Sequence, residues 1–358
     1  MKKVLIINEG YSDNFGDQAI KKAMVSLFQD RRFEADFLYF SKPSVQHLPS
    51  YRYANHVTKG ASKPSKLKGL LYVLYWLRIN KNIVASKLKE NQYDMVVFGG
   101  GQLINTSGKI YPSAFATSLF WITKFIKKHS NAAVYLIAVG CANKFGYIEQ
   151  YLYKKAIKKI DSIWVRDNFS NLALQEKFYR KAEVMPDIAF YKTKSHCLSE
   201  DKKENIALLG ITSFQEVFLK YNKENPVTRE GYYDQLFLKV QEYQKKGYHL
   251  LLFYTTLTDA AECKIFQQYV AEKHHLKINN AEIENIQDLE NYLLKANVVF
   301  SARMHALILG MKYRCHVEPY LISEKLKSFN ADYIQSDKTI SELSDDIENT
   351  LKLLLNNE

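Results

Sequence analysis

The sequence predicts an α/β protein built from two Rossmann-like domains that face each other across a cleft. Short apolar runs of strand length alternate with longer, helix-like segments in both halves of the 358-residue chain, as parallel sheets covered by helices require. Glycine and polar residues follow several of these runs, at the strand ends where doubly wound sheets bind ligands. Residues 192–205 are rich in Lys, Ser, Glu and Asp and indicate a linker between the two halves.

The first domain is expected over residues 1–195. It begins with an apolar strand at 4–7 and a loop rich in Gly, Asn and Asp that leads into a helix at 18–28. The loop lacks G-x-G-x-x-G spacing and therefore carries no dinucleotide fingerprint; it is either a ligand-binding loop or an ordinary turn. The remaining predicted elements of this half are strands at 37–40, 94–98, 134–139, 162–165 and 183–185 and a Lys-rich helix at 147–160.

Two segments of the first domain interrupt this alternation. Residues 41–66 are rich in Pro, Ser, Lys and Tyr and predict an irregular excursion. Residues 66–78 are aromatic and aliphatic with basic flanks. That composition is typical either of a core helix or of a segment lying in a membrane interface, where Lys and Arg meet anionic headgroups.

The second domain is expected over residues 205–335, and a C-terminal helix is expected within 336–358. Strands are predicted at 206–211, 250–254, near Leu276, at 297–300 and near Val317. The predicted helices of this half lie at 232–245, 259–274 and 289–295, and the last one at 340–355.

The most informative stretch runs from Ala296 to Met311. A short β-branched and aromatic strand ends there, and Ser301 stands where a helix N-cap is expected. Arg303 and His305 would then lie in the first helical turn. A cation at that position opposes the helix dipole, and the cost is offset when an anion docks on the same helix end.

The same dipole lowers the pKa of a nearby imidazole, which suits it to acid–base chemistry near neutral pH. Residues two apart in a helix point about 200° apart, so Arg303 and His305 share a ligand only where the helix tip is irregular or the ligand wraps around it. The alternative is that Arg303 is a solvated cation and His305 a core residue.

The overall charge favours an acidic partner. The net charge is +12 and the isoelectric point is about 9.2, which suits nucleic acid, an anionic membrane face or a phosphorylated substrate. The basic residues are dispersed, and the sequence has no long Arg run, zinc-finger spacing or RNA-binding aromatic signature. Nucleic acid is therefore the least favoured of the three partners.

The cysteines and the termini bear on the cellular compartment. The four cysteines, at 141, 197, 263 and 315, form no C-x-x-C pair, which argues against a disulfide framework and a zinc site and favours reduced thiols. The first residues form a strand that soon turns polar, unlike a signal peptide. No apolar stretch approaches the ~20 residues of a membrane span. These features predict a cytoplasmic protein.

Several motifs in this order resemble the polysaccharide pyruvyl transferase family. Residues 14–20 resemble its N-terminal signature, and the stretch from Ser301 to Ala306 resembles its most distinctive C-terminal motif. Between them lie similar groups in the matching order, at 98–101, 139–141, 165–170 and 186–187. The resemblance covers about residues 1–330.

The resemblance implies a GT-B-like glycosyltransferase architecture. It also implies transfer of a pyruvyl unit from phosphoenolpyruvate to two hydroxyls of one sugar, giving a cyclic ketal and phosphate. The acceptor would be a polysaccharide precursor, expected to be a polyprenyl-diphosphate-linked oligosaccharide at the inner face of the cytoplasmic membrane. The first domain would serve the acceptor and the second the donor. No cofactor and no metal are implied, and the sequence contains no D-x-D triplet.

The resemblance also assigns roles to residues. His305 would transfer protons and Arg303 would bind phosphate or carboxylate, while Arg166 could hold the other anion. Asp17, the third catalytic candidate, and Asn14 would orient sugar hydroxyls or the imidazole. The other substrate-binding candidates are Gly16, Gly100, Gly101, Ser301 and Lys325.

Two other classes of function remain open at this point. One is a sugar-nucleotide glycosyltransferase of the same architecture, which needs a base pocket and an acidic ribose contact; the sequence shows no clear candidate for either. The other is a non-catalytic protein that binds lipopolysaccharide or acts as a scaffold, which would need neither Arg303 nor His305.

Overall fold

The computed structural model describes residues 1–49, 66–108, 111–192, 203–222 and 227–356. It contains two separate parallel sheets, which confirms the predicted α/β fold with two Rossmann-like halves. The irregular excursion predicted at 41–66 and the linker predicted at 192–205 lie mostly outside the described residues. The domain boundaries 1–195, 205–335 and 336–358 stay a prediction.

The N-terminal half carries a six-stranded parallel sheet with the strand order β2-β1-β3-β4-β5-β6. Helices connect the successive strands and cover both faces of the sheet. The elements are β1 (Lys3–Asn8), α1 (Phe15–Asp30), β2 (Glu34–Tyr39), α2 (Lys66–Glu90), β3 (Met95–Gly99), α3 (Ala114–His129), β4 (Ala133–Val139), α4 (Tyr147–Ile157), β5 (Ser162–Val165), α5 (Asn168–Phe178) and β6 (Glu183–Val184).

The C-terminal half carries a five-stranded parallel sheet with the order β11-β10-β7-β8-β9. Its elements are β7 (Ile206–Gly210), the short α6 (Leu219–Tyr221), α7 (Arg229–Lys245), β8 (His249–Phe253), α8 (Leu257–His274), β9 (Asn279–Asn280), α9 (Ile286–Lys295), β10 (Val298–Ser301), α10 (Met304–Lys312), β11 (His316–Pro319), α11 (Glu324–Phe329) and α12 (Ile340–Asn356). Three of these helices and strands differ from the prediction. The strand expected near Leu276 is the two-residue β9, and neither α6 nor α11 was predicted.

Side chains of β1 alternate between two cores, as the two-residue period of a strand requires. Val4 and Ile6 face a core that continues from α1 through α10 into the C-terminal sheet. Leu5 and Ile7 face a second core, which is confined to the N-terminal half. The helix α1 therefore lies between the two sheets, and its burial couples them.

Polar contacts reinforce this junction. The backbone N–H of Phe15 donates to the Thr255 carbonyl at 2.9 Å, and Lys22 Nζ lies 2.5 Å from a carboxylate oxygen of Glu290. The helix α12 returns to the N-terminal half, where Ser344 Oγ accepts the Lys192 N–H at 3.1 Å. The carboxyl ends of the strands in the two sheets thus face each other across a cleft.

The segment predicted at 66–78 belongs to the 25-residue helix α2, and the structure supports part of each interpretation. Trp76 is buried, and its indole N–H donates to the Ser41 carbonyl at 3.1 Å. On the opposite side Leu71, Leu74 and Tyr75 are each more than half exposed. One face of the helix is therefore core, and the other is apolar and exposed.

Candidate active site

Both sheets have a topological switch point, where successive connections leave in opposite directions and the strand ends part to form a crevice. In the first sheet this point lies between β1 and β3, and in the second between β7 and β10. The loops after β1 and β8 touch, because Asp13 accepts the N–H of Leu257 at 3.1 Å. The two crevices therefore open into one cleft.

The crevice of the first sheet holds a cavity of about 190 Å³. The end of β1 and the glycines after β3 form two of its walls, and α1 forms a third. Gly100 and Gly101 have φ angles of +68° and +72°, which side chains other than glycine rarely adopt. The lining residues are Asn8, Glu9, Asn14, Asp17, Ile20, Gly100, Gly101, Gln102, Leu103, Asn105 and Phe115.

Two carboxyl groups of this cavity have raised pKa values. Burial, followed by repulsion from Asp17, raises the pKa of Glu9 to about 7, although the backbone N–H and hydroxyl of Ser41 both donate to it. Burial also raises the pKa of Asp17, against the hydroxyl of Ser12, which donates to it at 2.7 Å, and the nearby His305. A carboxyl with a pKa near neutrality can exchange protons with a substrate.

The loop after β1 is fixed by its own side chains. Asn14 is the N-cap of α1, and its Oδ1 accepts the N–H of Gly16 at 2.9 Å. Gly16 is required by close packing, since a Cβ atom there would lie 2.6 Å from Nδ1 of His305. The N-terminal and C-terminal motifs, almost 290 residues apart in sequence, therefore meet in the cleft.

The crevice of the second sheet is occupied by Arg303. Its guanidinium forms a two-pronged contact with the buried carboxylate of Asp259, at 2.9 Å and 2.7 Å. About a quarter of the Arg303 side chain remains exposed. The predicted anion site is therefore partly occupied by a carboxylate of the protein itself, which uses Nε and Nη2 of the guanidinium and leaves Nη1 without a hydrogen bond to the described part of the chain.

The predicted start of the following helix was wrong by two residues. Ser301 is the last residue of β10, paired with Pro319 of β11, and Arg303 is the N-cap of α10. Ser301 is buried, and its hydroxyl accepts the N–H of Arg303 at 3.0 Å. Ser301 thus shapes the turn that carries Arg303, and its burial argues against the substrate contact predicted for it.

The His305 side chain contacts the N-terminal half, whereas the Arg303 side chain contacts Asp259 in the C-terminal half. Its Nε2 lies 3.4 Å from Oδ2 of Asp187, an ion-pair distance that is long for a hydrogen bond. Burial alone would raise the pKa of Asp187, but His305, Arg166 and the Ala189 N–H outweigh it and hold this pKa well below its usual range. Asp187 is therefore a permanent anion beside the imidazole.

Arg166 lies behind Asp187 and is only 3% exposed. Its guanidinium lies 3.3 Å from a carboxylate oxygen of Asp187 and 3.3 Å from one of Asp167. It also donates to the Gln102 side chain at 2.6 Å. The prediction that Arg166 holds a substrate anion conflicts with these contacts, because the group is buried and paired on three sides. Its position instead suits it to fixing Asp187.

Lys325, at the start of α11, interacts electrostatically with this cluster. Loss of solvation, followed by repulsion from Arg166, lowers the pKa of Lys325 to about 7, against attraction from Asp187, Asp167 and Asp17. The residue as a whole is exposed, so solvent reaches the side chain and moderates this lowering. Lys325 is thus an amine that an incoming anion can reach and hold in its protonated form.

The structure therefore brings together most of the predicted site. His305, Gly16 and Asp17 meet at the centre, with Asn14, Gly100 and Gly101 on the first sheet and Arg303 on the second. Three acidic residues were not among the predicted site residues: Glu9, Asp187 and Asp259. Glu9 and Asp187 each follow a predicted strand, a position that marks candidate site residues. Asp259 lies in a predicted helix, and nothing in the sequence marks it as a site residue.

Neither a metal site nor a membrane span is found in the part of the chain that the structure describes. No group of three or more His, Cys, Asp or Glu side chains there is arranged to hold a metal ion. No helix of that part combines the length and the apolar character that crossing a bilayer requires.

Comparisons with known proteins agree with this geometry. A family model described as polysaccharide pyruvyl transferase matches residues 14–317, whereas no curated protein gives a significant match. The solved structures with a similar fold include UDP-GlcNAc 2-epimerase from Methanocaldococcus jannaschii in complex with UDP-GlcNAc and UDP (TM-score 0.52, 10% identity, 99% of this chain and 100% of that chain). Another is a putative UDP-N-acetylglucosamine 2-epimerase from Listeria monocytogenes (TM-score 0.51, 13% identity, 100% and 89%). These likenesses show the GT-B-type fold.

Proposed function

This chain belongs to the polysaccharide pyruvyl transferase family, and from that premise we propose that it transfers the pyruvyl group of phosphoenolpyruvate to two hydroxyls of one sugar. The product is a cyclic ketal, and phosphate is released. The observation that carries the proposal is the position of His305. Its imidazole packs on Gly16 beside the acidic cavity of one sheet, while its neighbour Arg303 lies at the crevice of the other.

The reaction needs proton transfer at two kinds of atom. The first sugar hydroxyl adds to C2 of phosphoenolpyruvate while C3 takes up a proton, which gives a phosphorylated ketal intermediate. The C–O bond to phosphate then breaks with its electron pair on phosphate. The second hydroxyl adds to C2 and loses its proton. An imidazole can supply and then remove a proton in such a sequence, and the carboxylate of Asp187 lies beside the ring of His305.

The donor substrate carries a phosphate and a carboxylate, and two cations reach the cleft. Arg303 is oriented by Asp259 and keeps an open edge, which suits it to an anion with planar or tetrahedral oxygens. Lys325 offers a point charge on the other side of the catalytic groups. We infer that these two residues hold the anionic groups of phosphoenolpyruvate, with no metal or cofactor.

The proposal is tested by incubating the protein with phosphoenolpyruvate and an extract of polyprenyl-diphosphate-linked oligosaccharides. We expect phosphate release and an acceptor mass gain of one pyruvate less one water. When the reaction is run in D₂O, the new ketal methyl group should carry one deuterium from the solvent. A sugar nucleotide in place of phosphoenolpyruvate should give no transfer. Glycosyl transfer from the nucleotide, without phosphate release from phosphoenolpyruvate, would refute the proposal in favour of a glycosyltransferase.

We also propose that the protein binds peripherally to the inner face of the cytoplasmic membrane, where a lipid-linked acceptor would be found. The exposed face of α2 supports this: Leu71, Leu74, Tyr75 and Ile79 have the i, i+3, i+4, i+8 spacing of one helix face and are all exposed. Arg78 is exposed on the same helix, and the net charge of +12 favours an anionic surface.

This membrane proposal predicts salt-sensitive binding to vesicles that contain anionic lipid and weak binding to neutral vesicles. Leu74→Ser should reduce the binding, whereas Leu238→Ser should not, although Leu238 is equally exposed on α7, in the other half. Equal binding to neutral and anionic vesicles, or no binding to either, would show that the protein does not associate with membranes in this way.

A further inference from the structure

The cavity of the first sheet contains a buried hydrogen-bond donor without a partner. Asn8, the last residue of β1, is 1% exposed. Its Oδ1 accepts the N–H of Gly10 at 2.9 Å, which fixes the orientation of the amide. Asn8 lines the cavity, and its Nδ2 has no hydrogen-bond partner among the residues that the structure describes. Buried donors are rarely left unpaired in proteins, and a polar group of a ligand in the cavity can supply the missing acceptor.

The shape of the cavity suits one small ring. Its volume of about 190 Å³ equals that of roughly six water molecules, which is less than the usual pocket for a drug-sized ligand. One wall is apolar, with Ile20, Leu103 and the ring of Phe115. The other walls carry amide and carboxyl groups. A pyranose has the same two-sided character, with C–H groups on its faces and hydroxyls around its edge.

The charge of the lining favours a neutral ligand over an anion. Glu9 and Asp17 are the charged side chains among the residues that line the cavity, and no Lys or Arg of the described chain lines it. A carboxylate or phosphate placed here would meet two acidic groups in a partly dehydrated site. This lining therefore suits a neutral sugar better than phosphoenolpyruvate or a sugar that carries a carboxylate or phosphate.

We propose that this cavity binds the one neutral pyranose ring that receives the pyruvyl group, with Asn8 donating to one of its hydroxyls and Glu9 taking the proton of another. That this ring accepts the pyruvyl group rests on the proposed function, whereas binding of a neutral ring does not. In this assignment the hydroxyl O–H bond breaks, its oxygen bonds to C2 of the donor, and its proton passes to the Glu9 carboxylate. His305, on the other side of Asp17, supplies the proton to C3.

The environment of Glu9 supports this role. Its carboxylate is held by the N–H and the hydroxyl of Ser41, at 2.7 Å and 2.9 Å, so its position is fixed before a ligand arrives. Its pKa of about 7 is caused by burial and by Asp17, with Ser41 and Tyr39 acting in the opposite direction. A base of that strength exists in both protonation states at neutral pH. Asp17, which is itself influenced by Asp13, His305 and Lys325, completes the set of titratable groups around the site.

The test uses the full chain and simple methyl glycosides as probes. Saturation-transfer NMR is recorded with neutral methyl glucoside, galactoside, mannoside and N-acetylglucosaminide, and with the methyl uronides of the same ring configurations. We expect a signal from at least one neutral glycoside and none from its uronide. Glu9→Gln and Asn8→Leu, both close in shape to the natural side chain, should each weaken the binding about tenfold or more. Glu176→Gln, on the exposed surface of α5, should leave it unchanged.

Donor binding is followed separately by the ³¹P line width of phosphoenolpyruvate. Glu9→Gln should retain donor binding, and Arg303→Lys should weaken donor binding about tenfold or more while keeping the glycoside signal. The assignment is overturned when no neutral glycoside binds, when a uronide binds as well as the neutral sugar, or when folded Glu9→Gln and Asn8→Leu both bind like the wild type. Glycoside binding without any donor binding would refute the proposed function and leave the neutral sugar site in place.

Discussion

The two arginines that follow strand ends in this protein, Arg166 after β5 and Arg303 after β10, differ in what surrounds them. Arg166 is 3% exposed and is paired with two carboxylates and a side-chain amide. Arg303 is paired with the single carboxylate of Asp259 and remains about a quarter exposed. Arg166 is therefore fixed inside the protein, whereas Arg303 is oriented by Asp259 and keeps part of its side chain exposed.

This difference distinguishes a cation that positions another side chain from a cation that can bind a ligand. A guanidinium has five N–H donors, and each buried acceptor around it removes some of them from use by a ligand. Arg166 directs its donors to Asp187, which in turn faces His305, so it reaches the chemistry only through another residue. Arg303 retains donors toward the cleft. Substitutions in the two networks should therefore affect catalysis and donor binding differently.

His305 is the group on which the Arg166 network converges. We expect His305→Gln to lower kcat by about 10²–10⁴-fold, because an amide can hydrogen-bond but cannot carry the proton. The KM for phosphoenolpyruvate should change little. Steady-state kinetics measures both values, and thermal unfolding should show a melting temperature close to that of the wild type. Substantial residual activity in His305→Gln would make this residue a structural one.

Arg303→Lys should act mainly on donor binding. A lysine cannot make the two-pronged contact with Asp259 or a second one with an anion. We expect kcat/KM to fall about 10- to 150-fold, mostly through KM for phosphoenolpyruvate, as the loss of a charge-assisted hydrogen bond predicts. Arg31→Lys, at the ion pair with Glu348, is the matched control and should be close to neutral. Wild-type turnover at sub-saturating donor would contradict the role of Arg303.

Asp187→Asn should distinguish an effect on His305, seen in kcat, from an effect on donor binding, seen in KM. The substitution keeps the shape and removes the charge beside His305, so we expect kcat to fall about tenfold, with an unchanged KM for the donor. The folded-state pKa of Asp187 is lowered, so its ion pairs contribute stability above its ordinary pKa of about 4, and the contribution is lost as the pH falls below that value. Chemical denaturation at pH 7 and pH 3 should therefore show a smaller difference between wild type and variant at the lower pH.

Glu9 provides the opposite case, a carboxyl that no cation of the described residues contacts. Because its pKa is raised to about 7 in the folded protein, the stability that its neutral form contributes is present below about pH 4.5 and is lost as the pH rises through 7. Glu9→Gln should therefore be more stable than the wild type at pH 8.5, by at most about 3 kcal/mol. The gain should vanish near pH 4. Denaturant melts at the two pH values measure it, and an equal difference at both would contradict this assignment.

Most of the architecture was predictable because the buried strands are short apolar runs bounded by glycine or polar residues. The strand at Ser162–Val165 was predicted with the observed bounds. The helix α3 was missed, since it contains Thr, Ser, Phe and Trp, which have modest helix propensity. Ser301 was expected to cap a helix, but pairing of β10 with its neighbour β11 continues through that residue and places the cap two positions later.

The site was predictable only in part, for a physical reason. The sequence shows which residue types follow strand ends, and it indicated His305 and Arg303 on that basis. It does not show which carboxylates reach them. Asp259 is 44 residues before Arg303, and the two meet only because β8 and β10 both flank β7. The raised pKa of Glu9 likewise depends on burial and on a neighbour that folding supplies.

The continuous core around α1 also has a consequence for protein engineering. A hybrid made by joining the N-terminal half of this chain to the C-terminal half of a relative would bring together two surfaces that have not adapted to each other. The contacts of Phe15 with Thr255 and of Lys22 with Glu290 would have to be rebuilt, together with the packing of Gly16 on His305. The proposed sugar site is therefore better altered by exchanging individual side chains of the cavity, such as Leu103 or Phe115, than by exchanging whole halves.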